Sequence, residues 1–391
     1  MILDLPALPA RALGNKSEKI LEDLLQTGFP QRFSSFWEEG LHGNGIYPQM
    51  RYSPGNLGIG GGADVALEEL IRSKKILPFL ESNITGGGTI DGDYDLGGDL
   101  QLAKKWGPLF YLNGNYTYNH RENESFSGLG PRSSLGDKVR YIENIHLVRG
   151  RLGFFPSRTV TAGIETSYRH IHIGNTAKKN TANLSDLYTL NELPGRNGGE
   201  ILTAGVYLVH DSRDIEDSPT QGGLHRFTVY FNRDVVHNDD YFKYALDLAH
   251  YFRLGSEKRV FSINFHGERA QDIRHSSIPF FDLPHLGNFG EYESATHRGY
   301  IYNRFFDQSS AILSLGYRRQ IWQYRDLTAD WLYFADTGKV FEKLSAFGKG
   351  GMKVSYGAGL QLKIKHDLFF TFEFAVSDEG TPFYVCTKTP F

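Results

Sequence analysis

Apolar and polar residues alternate with a period of two along most of the chain after residue 45. The clearest case lies near the end, where Phe370, Phe372 and Phe374 fall on one side of an extended segment. Thr371 and Glu373 fall on the other side. Such alternation is typical of a β-strand with one apolar and one polar face. The same split recurs in the segments 242–248, 261–268, 313–321 and 327–336.

Sixteen segments show this pattern, most of them about ten residues or longer, which suits tilted strands that cross a bilayer. An even number suits a single-chain antiparallel barrel. We therefore predict an all-β fold, a sixteen-stranded antiparallel transmembrane β-barrel over residues 45–391. Alternation alone leaves a soluble protein of two packed sheets as the alternative. The predicted strands are 45–53, 57–68, 76–88, 91–105, 107–120, 139–154, 158–173, 199–213, 223–234, 241–254, 259–272, 308–322, 325–340, 352–365, 367–377 and 381–391.

The connections between the predicted strands differ in length. Long connections fall at 121–138, 174–198 and 273–307, whereas 54–56, 255–258 and 378–380 contain the Gly, Pro and Asp of tight turns. Outer-membrane barrels have short periplasmic turns and long outer loops. We therefore expect the long connections at one end of the barrel and the short ones at the other.

The composition agrees with a barrel and excludes several other classes. Aromatic residues make up 14% of the chain and there are 44 glycines, yet the mean hydropathy is only −0.39. No uninterrupted apolar run reaches the roughly 18 residues of a membrane helix, which excludes a helical membrane protein. The net charge of −3 gives no basic surface, so nucleic acid is not an expected partner. The single cysteine, Cys386, excludes an internal disulfide.

Residues 1–44 follow a different pattern and form a predicted N-terminal helical segment. Ile20, Leu21, Leu24 and Leu25 recur at helical spacing, and Gly28 and a following proline end the run. Two interpretations stay open. The segment is either a short helical hairpin packed on the larger domain, or a plug or interfacial helix that caps the periplasmic mouth.

The last predicted strand closes on an aromatic residue. Phe383, Val385 and Phe391 share one face of the segment 381–391. A terminal phenylalanine after an alternating strand resembles the β-signal by which outer-membrane proteins are recognised for assembly. Pro390 departs from that pattern in the penultimate position.

Three further segments resemble the Omp85 (bacterial surface antigen D15) superfamily. They are DSRDIEDSPTQGG at 211–223, SIPFFDLPHLG at 277–287 and HRGY at 297–300. Barrels of this family have an Asp-rich turn with Pro and Gly before a strand, and a later long loop with an Arg-Gly-aromatic motif. Here that loop lies between the eleventh and twelfth predicted strands, as in the family. The resemblance covers residues 45–391 and implies a form without POTRA repeats of its own.

The resemblance implies a role for the long loop. In the family this loop folds into the lumen, where its arginine pairs with an acidic residue on an inner strand face. Arg298, followed by Gly299 and Tyr300, matches the motif, and Asp336 in the segment FADTGKV matches the acidic partner. A buried guanidinium needs such a fixed carboxylate. Without the resemblance Arg298 would be read as a solvated loop arginine.

Two details of this motif remain open. Asp330 shares a strand face with Asp336 and is the alternative partner of Arg298. His297 stands where the family more commonly has valine.

The family resemblance also implies a location and a function. We expect the chain in the outer membrane of a Gram-negative type of cell, in contact with lipid, client polypeptides or periplasmic partner proteins. One hypothesis is a barrel that assists the insertion or translocation of polypeptides. The alternatives are a membrane anchor or translocator for a passenger domain, such as a lipase, and a plain channel.

The seam between the first and last strands is the predicted working part of an insertion barrel. Pro48 in the first strand and Pro382 and Pro390 in the last cannot donate ladder hydrogen bonds. A weak seam that also includes Phe391 would offer an unpaired edge to a client strand. No catalytic serine, cysteine or zinc motif occurs in the sequence, so we expect neither an enzyme nor a cofactor or metal.

Overall fold

The structure is a computed structural model that describes residues 46–53, 56–64, 80–89, 92–102, 110–176, 182–216, 218–274, 276–287, 297–324, 326–364 and 367–386. Its main feature is a single sheet of sixteen strands. These strands are β1 (Ile46–Ser53), β2 (Asn56–Asp64), β3 (Leu80–Thr89), β4 (Tyr94–Leu102), β5 (Phe110–Phe126), β6 (Val139–Phe154), β7 (Val160–Gly174), β8 (Gly198–Asp211), β9 (Gly222–Asp234), β10 (Asp239–Arg253), β11 (Arg259–Asp272), β14 (Ser309–Tyr324), β15 (Leu327–Phe341), β16 (Lys353–Ile364), β17 (Asp367–Val376) and β18 (Phe383–Cys386).

The remaining elements are short and lie in the connections. Strands β12 (His285–Leu286) and β13 (Phe305–Phe306) pair with each other between β11 and β14. One helical turn, α1 (Leu184–Leu187), follows β7, and 3-10 turns occur at Leu135–Asp137, Phe280–Asp282 and Leu344–Ala346. None of the helices in the described ranges is long and apolar enough to cross a membrane.

Every strand of the large sheet pairs antiparallel with the next one along the chain, and β11 pairs directly with β14. This confirms the prediction of an all-β fold built on one large antiparallel sheet. Within the described residues no ladder joins β1 to β18, so closure of the sheet into a barrel stays a prediction. The predicted helical segment 1–44 lies outside the described residues.

The two faces of the sheet differ in polarity. The apolar face is exposed and the polar face is buried, whereas a soluble β-sandwich shows the reverse. On β15, Trp331 and Tyr333 are 39% and 45% exposed, whereas Asp330 and Asp336 on the other face are almost fully buried. Leucines, valines and aromatic residues are exposed in the same way along β4 to β10 and β14. Two packed soluble sheets would bury these apolar rows. The apolar face is therefore the outer face, and the polar face is the interior.

The sheet curves around the connection between β11 and β14. We call the described parts of this connection, 276–287 and 297–308, the interior loop. Asn303 lies 3.5 Å from Glu124 of β5, and Arg304 bonds Glu379 after β17. One loop therefore reaches two strands that lie ten places apart in the sheet order, which requires strong curvature.

Antiparallel pairing places the connections at two ends of the sheet. The long connections 127–138, 175–197 and 273–308 share one end, which we call the loop end. The connections 155–159, 212–221 and 254–258 share the opposite end, the turn end. The expected separation by length fails for the short connections from β1 to β2, from β9 to β10 and from β17 to β18, which includes 378–380, because all three lie at the loop end.

Candidate functional site

The centre of the interior is an ion pair between Arg298 of the interior loop and Asp336 of β15. Arg298 donates from Nε to Asp336 Oδ2 at 2.8 Å and from Nη2 to Oδ1 at 2.6 Å. The backbone N–H of Arg298 donates to the same carboxylate at 3.2 Å. The two side chains are 1% and 0% exposed. The pair is thus bidentate and desolvated, the geometry in which an arginine fork is most selective.

Residues on the same inner strand faces pack against this ion pair. Phe334 lies two residues before Asp336 on the same face, and its ring centroid is 3.5 Å from Arg298 Cζ. From β17, Glu373 Oε1 lies 3.7 Å from Arg298 Nη1. Burial alone would lower the pKa of Arg298, but the carboxylate of Asp336 raises that pKa above its ordinary value. One guanidinium therefore stays charged between two buried carboxyl groups.

Asp330, the alternative partner, pairs with two other cations. It lies nearer the turn end, where its Oδ2 is 2.5 Å from Lys363 Nζ and 3.5 Å from Arg318 Nε. The two aspartates of β15 therefore serve different parts of the interior.

Gly299 occupies a position that only glycine fills without strain. Its φ is +94°, and a Cβ atom there would lie 2.9 Å from the Cβ of Ser355. Its N–H donates to the hydroxyl of Tyr384, and its carbonyl accepts from Ser377 Oγ at 2.6 Å. The glycine thus lets the loop backbone lie directly on β16 to β18.

Tyr300 and His297 pack beside the ion pair. The Tyr300 hydroxyl donates to Asp378 Oδ1 at 2.7 Å. Its ring meets the His297 ring edge to face at 4.7 Å between centroids. His297 is fully buried and neither of its ring nitrogens has a hydrogen-bond partner. Burial lowers the pKa of His297 to about 4. At neutral pH it is therefore an uncharged ring that fills an apolar position, which fits the valine more common in the family.

Arg304 provides a second cationic contact near the mouth at the loop end. Its Nε lies 2.8 and 2.9 Å from the two carboxylate oxygens of Glu379, and its Nη2 donates to the Ser133 carbonyl at 2.7 Å. This side chain joins the connection after β5 to the turn after β17. Sequence reasoning missed it.

Sequence reasoning also missed Asp282, which anchors the interior loop to the opposite wall. It accepts from Arg169 Nη2 of β7 at 2.7 Å and from the Tyr241 hydroxyl, and Lys243 Nζ lies 3.5 Å away. Burial alone would raise the pKa of Asp282, but the charges of Arg169 and Lys243 bring it below its ordinary value. The only signal in the sequence was an acid in the apolar segment PFFDLP. The loop is thus tied to β7 and β10 on one side and to β15 on the other.

The segment 211–223 forms a folded turn at the other end of the interior. Asp214 accepts from the backbone N–H and the hydroxyl of Thr220, at 2.8 and 2.5 Å. The tip of the turn lies against Arg318 of β14, whose Nη2 donates to the Pro219 carbonyl at 2.7 Å and the Ser218 carbonyl at 3.3 Å. This turn partly covers the interior from the turn end.

The predicted seam residues are only partly described. Pro48 lies in β1 opposite Gly61 of β2. The carbonyl of Pro382 accepts from the Ala375 N–H at 3.2 Å, at the start of the β17–β18 ladder. Pro390 and Phe391 lie outside the described residues. Pairing of these residues across a seam therefore stays a prediction.

Comparisons with known proteins agree with this geometry. The family model for the Omp85 superfamily domain matches residues 82–376. A comparison with curated proteins yields no match. BamA from Haemophilus ducreyi, solved without POTRA domains 1–3, is similar with a TM-score of 0.60 and 14% identity, over 88% of this chain and 70% of that one.

CdiB from Escherichia coli is similar with a TM-score of 0.53 and 12% identity, over 84% of this chain and 58% of that one. At these identities the two structures show the shared fold alone. The family match is a match of sequence, and it spans more than half of the chain. The chain therefore belongs to the Omp85 superfamily of outer-membrane proteins.

Proposed function

We propose that the chain is a closed sixteen-stranded barrel of the outer membrane that inserts or moves polypeptides, and that clients enter through the seam between its first and last strands. The observation that carries the proposal is the interior loop. Its family motif, Arg298 and Gly299, lies against the interior wall beside Asp336. Family membership supplies the class of client, a polypeptide.

The faces of the sheet support a membrane location. Apolar side chains such as Val148, Ile164 and Val206 are more than half exposed on the outer face. A continuous antiparallel sheet satisfies its backbone groups internally, which hydrocarbon requires. Closure removes the two remaining edges, β1 and β18, so that no unpaired strand faces lipid.

The filled interior argues against an open channel. His297, Arg298 and Tyr300 are buried in the middle of the curved sheet. The interior loop and the turn 212–221 enter from opposite ends. A polypeptide that passes between two strands of the wall would therefore meet less obstruction than one that passes through the filled lumen.

The seam is the weakest place in that wall on chemical grounds. Pro48, Pro382 and Pro390 have no backbone N–H. The Pro382 carbonyl faces β17, and its nitrogen therefore faces β17 as well, so Pro48 and Pro390 are the prolines that would remove donors from the seam. Each missing hydrogen bond lowers the net stability by only about 0.5 to 1.5 kcal/mol. The seam therefore opens without unfolding the other ladders, and its free edge pairs with a client strand by β-augmentation.

A reversible lock tests this function. In a Cys386→Ser background, one cysteine is placed in 46–53 and one in 383–391, and the protein is reconstituted in liposomes. The measurement is the rate at which a urea-unfolded outer-membrane barrel folds into those liposomes. Folding is monitored as the difference in gel mobility between unboiled and boiled samples. We expect oxidation of the pair to abolish the acceleration and reduction to restore it.

A matched lock on a ladder inside the sheet is the control. Leu315 of β14 lies directly opposite Ala335 of β15, and a cysteine pair there should leave the rate unchanged. Full activity with the seam locked would rule out the gate and favour passage through the lumen. No acceleration in any state, with the barrel correctly folded, would instead favour an anchor for a passenger domain.

A further inference from the structure

Three histidines lie side by side on the outer face at the turn end. They are His210 of β8, His225 of β9 and His250 of β10. His210 is directly opposite His225, and His250 is opposite Gly223, two residues from His225. They continue the rows of exposed side chains to which Leu208 and Phe252 belong. This group is not part of the interior site, and no role described so far uses it.

The spacing of the first two imidazoles fits a shared metal ion. His210 Nδ1 lies 3.4 Å from His225 Nδ1. Two nitrogen ligands of a tetrahedral zinc ion, each about 2.0 to 2.1 Å from the metal, are roughly 3.3 to 3.4 Å apart. Without a metal ion the same two atoms form a long N–H···N hydrogen bond, beyond the roughly 2.7 to 3.2 Å usual for N–H donors.

Gly223 lies under the rings of His225 and His250. A Cβ atom on Gly223 would lie 2.8 Å from His250 Nδ1 and 2.9 Å from His225 Nε2. The glycine therefore lets the two imidazoles pack closely against the strand backbone. The ring of His250 also lies nearly parallel to that of His225, at 11° and 5.9 Å between centroids, which limits rotation of His225.

Ion pairs do not occupy the three rings. In the described part of the chain, no ion pair with a carboxylate involves any of them. Imidazole nitrogen is a ligand that suits zinc, copper or nickel ions.

We propose that His210 and His225 bind a divalent transition-metal ion of the zinc type, with water in the remaining positions. Within the described residues, no set of three or more potential ligands is arranged around one point, which limits the protein ligands to this pair. The ion joins β8 to β9 at the base of the turn 212–221, whose tip lies on Arg318. It is a structural cross-link of that turn.

Titration of the whole chain with Zn²⁺ tests the proposal. The protein is purified without a histidine tag, stripped with a chelator and titrated by calorimetry in detergent. We expect one site. His210→Ala and His225→Ala should each weaken it about tenfold or more, because even outer-shell partners of metal ligands contribute roughly 10- to 100-fold. His250→Ala, which removes only the stacked ring, should have a smaller effect.

A second pair on the same face is the control. His170 and His172 lie on β7 near the loop end, where His170 Nδ1 is 3.5 Å from Glu200 Oε1. Their double alanine variant should bind Zn²⁺ as the wild type does. Electron paramagnetic resonance of the Cu²⁺-loaded protein should show nitrogen coupling from two imidazoles, absent in His210→Ala. Zinc binding that survives the double change of His210 and His225, or no binding at about 100 µM Zn²⁺, would overturn the proposal.

Discussion

Two aspartates on one face of β15 hold two different structures in the interior. Asp336 binds Arg298 of the interior loop near the loop end, and Asp330 binds Lys363 and Arg318 near the turn end. Six residues separate the aspartates, roughly 20 Å along a strand. The same residue type, repeated on the same face, thus serves an anchor for a long loop and an anchor for a short turn.

The two anchors, Arg298 and Arg318, differ in solvent exposure and in the groups to which they donate hydrogen bonds. Arg298 is 1% exposed and forms a two-bond fork with a carboxylate, whereas Arg318 is 11% exposed and holds the turn only through two backbone carbonyls. Charge-to-carboxylate forks are stronger than charge-to-carbonyl bonds, and removal of water strengthens both. The difference indicates a permanent loop anchor and a turn anchor that opens more easily.

The largest expected effect comes from breaking the loop anchor. Arg298→Ala leaves Asp336 and Glu373 buried without a cation, which should cost about 3 to 5 kcal/mol. We expect the interior loop to become sensitive to proteinase K in detergent while the strand ladders stay resistant. Fragments identified by mass spectrometry should begin or end within 276–308.

A double variant separates the lost contact from the uncompensated charge. Changing Asp336 to Asn together with Arg298→Ala removes one of the two stranded carboxylates, so the double variant should be less destabilised than the sum of the two single variants. An Arg298→Ala loop as resistant as wild type would show that Asp282 and Arg304 hold the loop by themselves.

The sequence predicted the strands well and the anchors unevenly. Alternation is a local signal, so the sequence of a segment such as 367–377 is enough to predict that it forms a strand. Arg298 and Asp336 came from a family motif. Asp282 pairs with Arg169, 113 residues away, and Arg318 with Pro219, 99 residues away. A charged residue on an interior strand face has the same local sequence pattern as one that faces solvent, so only the fold reveals these partners.

The next largest effect is a pH dependence confined to the loop end. The pKa of His297 is about 4 in the folded protein because the ring is buried, and about 6.5 in an unfolded chain. Between these values the unfolded state binds more protons, so stability is full above pH 6.5 and is lost as the pH falls toward 4. By pH 5 the loss is about 2 kcal/mol. The folded pKa of Asp282 is lowered. The stability that Asp282 contributes to the protein is therefore lost only as the pH falls below the unfolded pKa of about 3.9.

His297→Val measures this contribution directly. The variant carries an apolar residue that cannot titrate, so between pH 7.5 and 5 it should lose about 2 kcal/mol less stability than the wild type. Hydrogen exchange of peptides from 297–308 gives the local free energy of opening at each pH. Identical pH dependence in the two proteins would show that the buried ring is already protonated or hydrated.

The smallest effect concerns the turn anchor, and it tests whether the two ends differ as their geometry indicates. Arg318→Lys keeps a positive charge beside Asp330 but cannot reproduce the planar donor that reaches the Pro219 carbonyl. We expect a loss of about 1 kcal/mol, the size of one such hydrogen bond. Exchange should rise in peptides that cover 212–221 and stay unchanged in 297–308. Arg319→Lys is the matched control, because Arg319 lies next to Arg318 on the opposite face of β14. If Arg318→Lys instead loosened both ends together, the interior loop and the turn would form one cooperative unit, and the distinction between a permanent anchor and an opening one would be wrong.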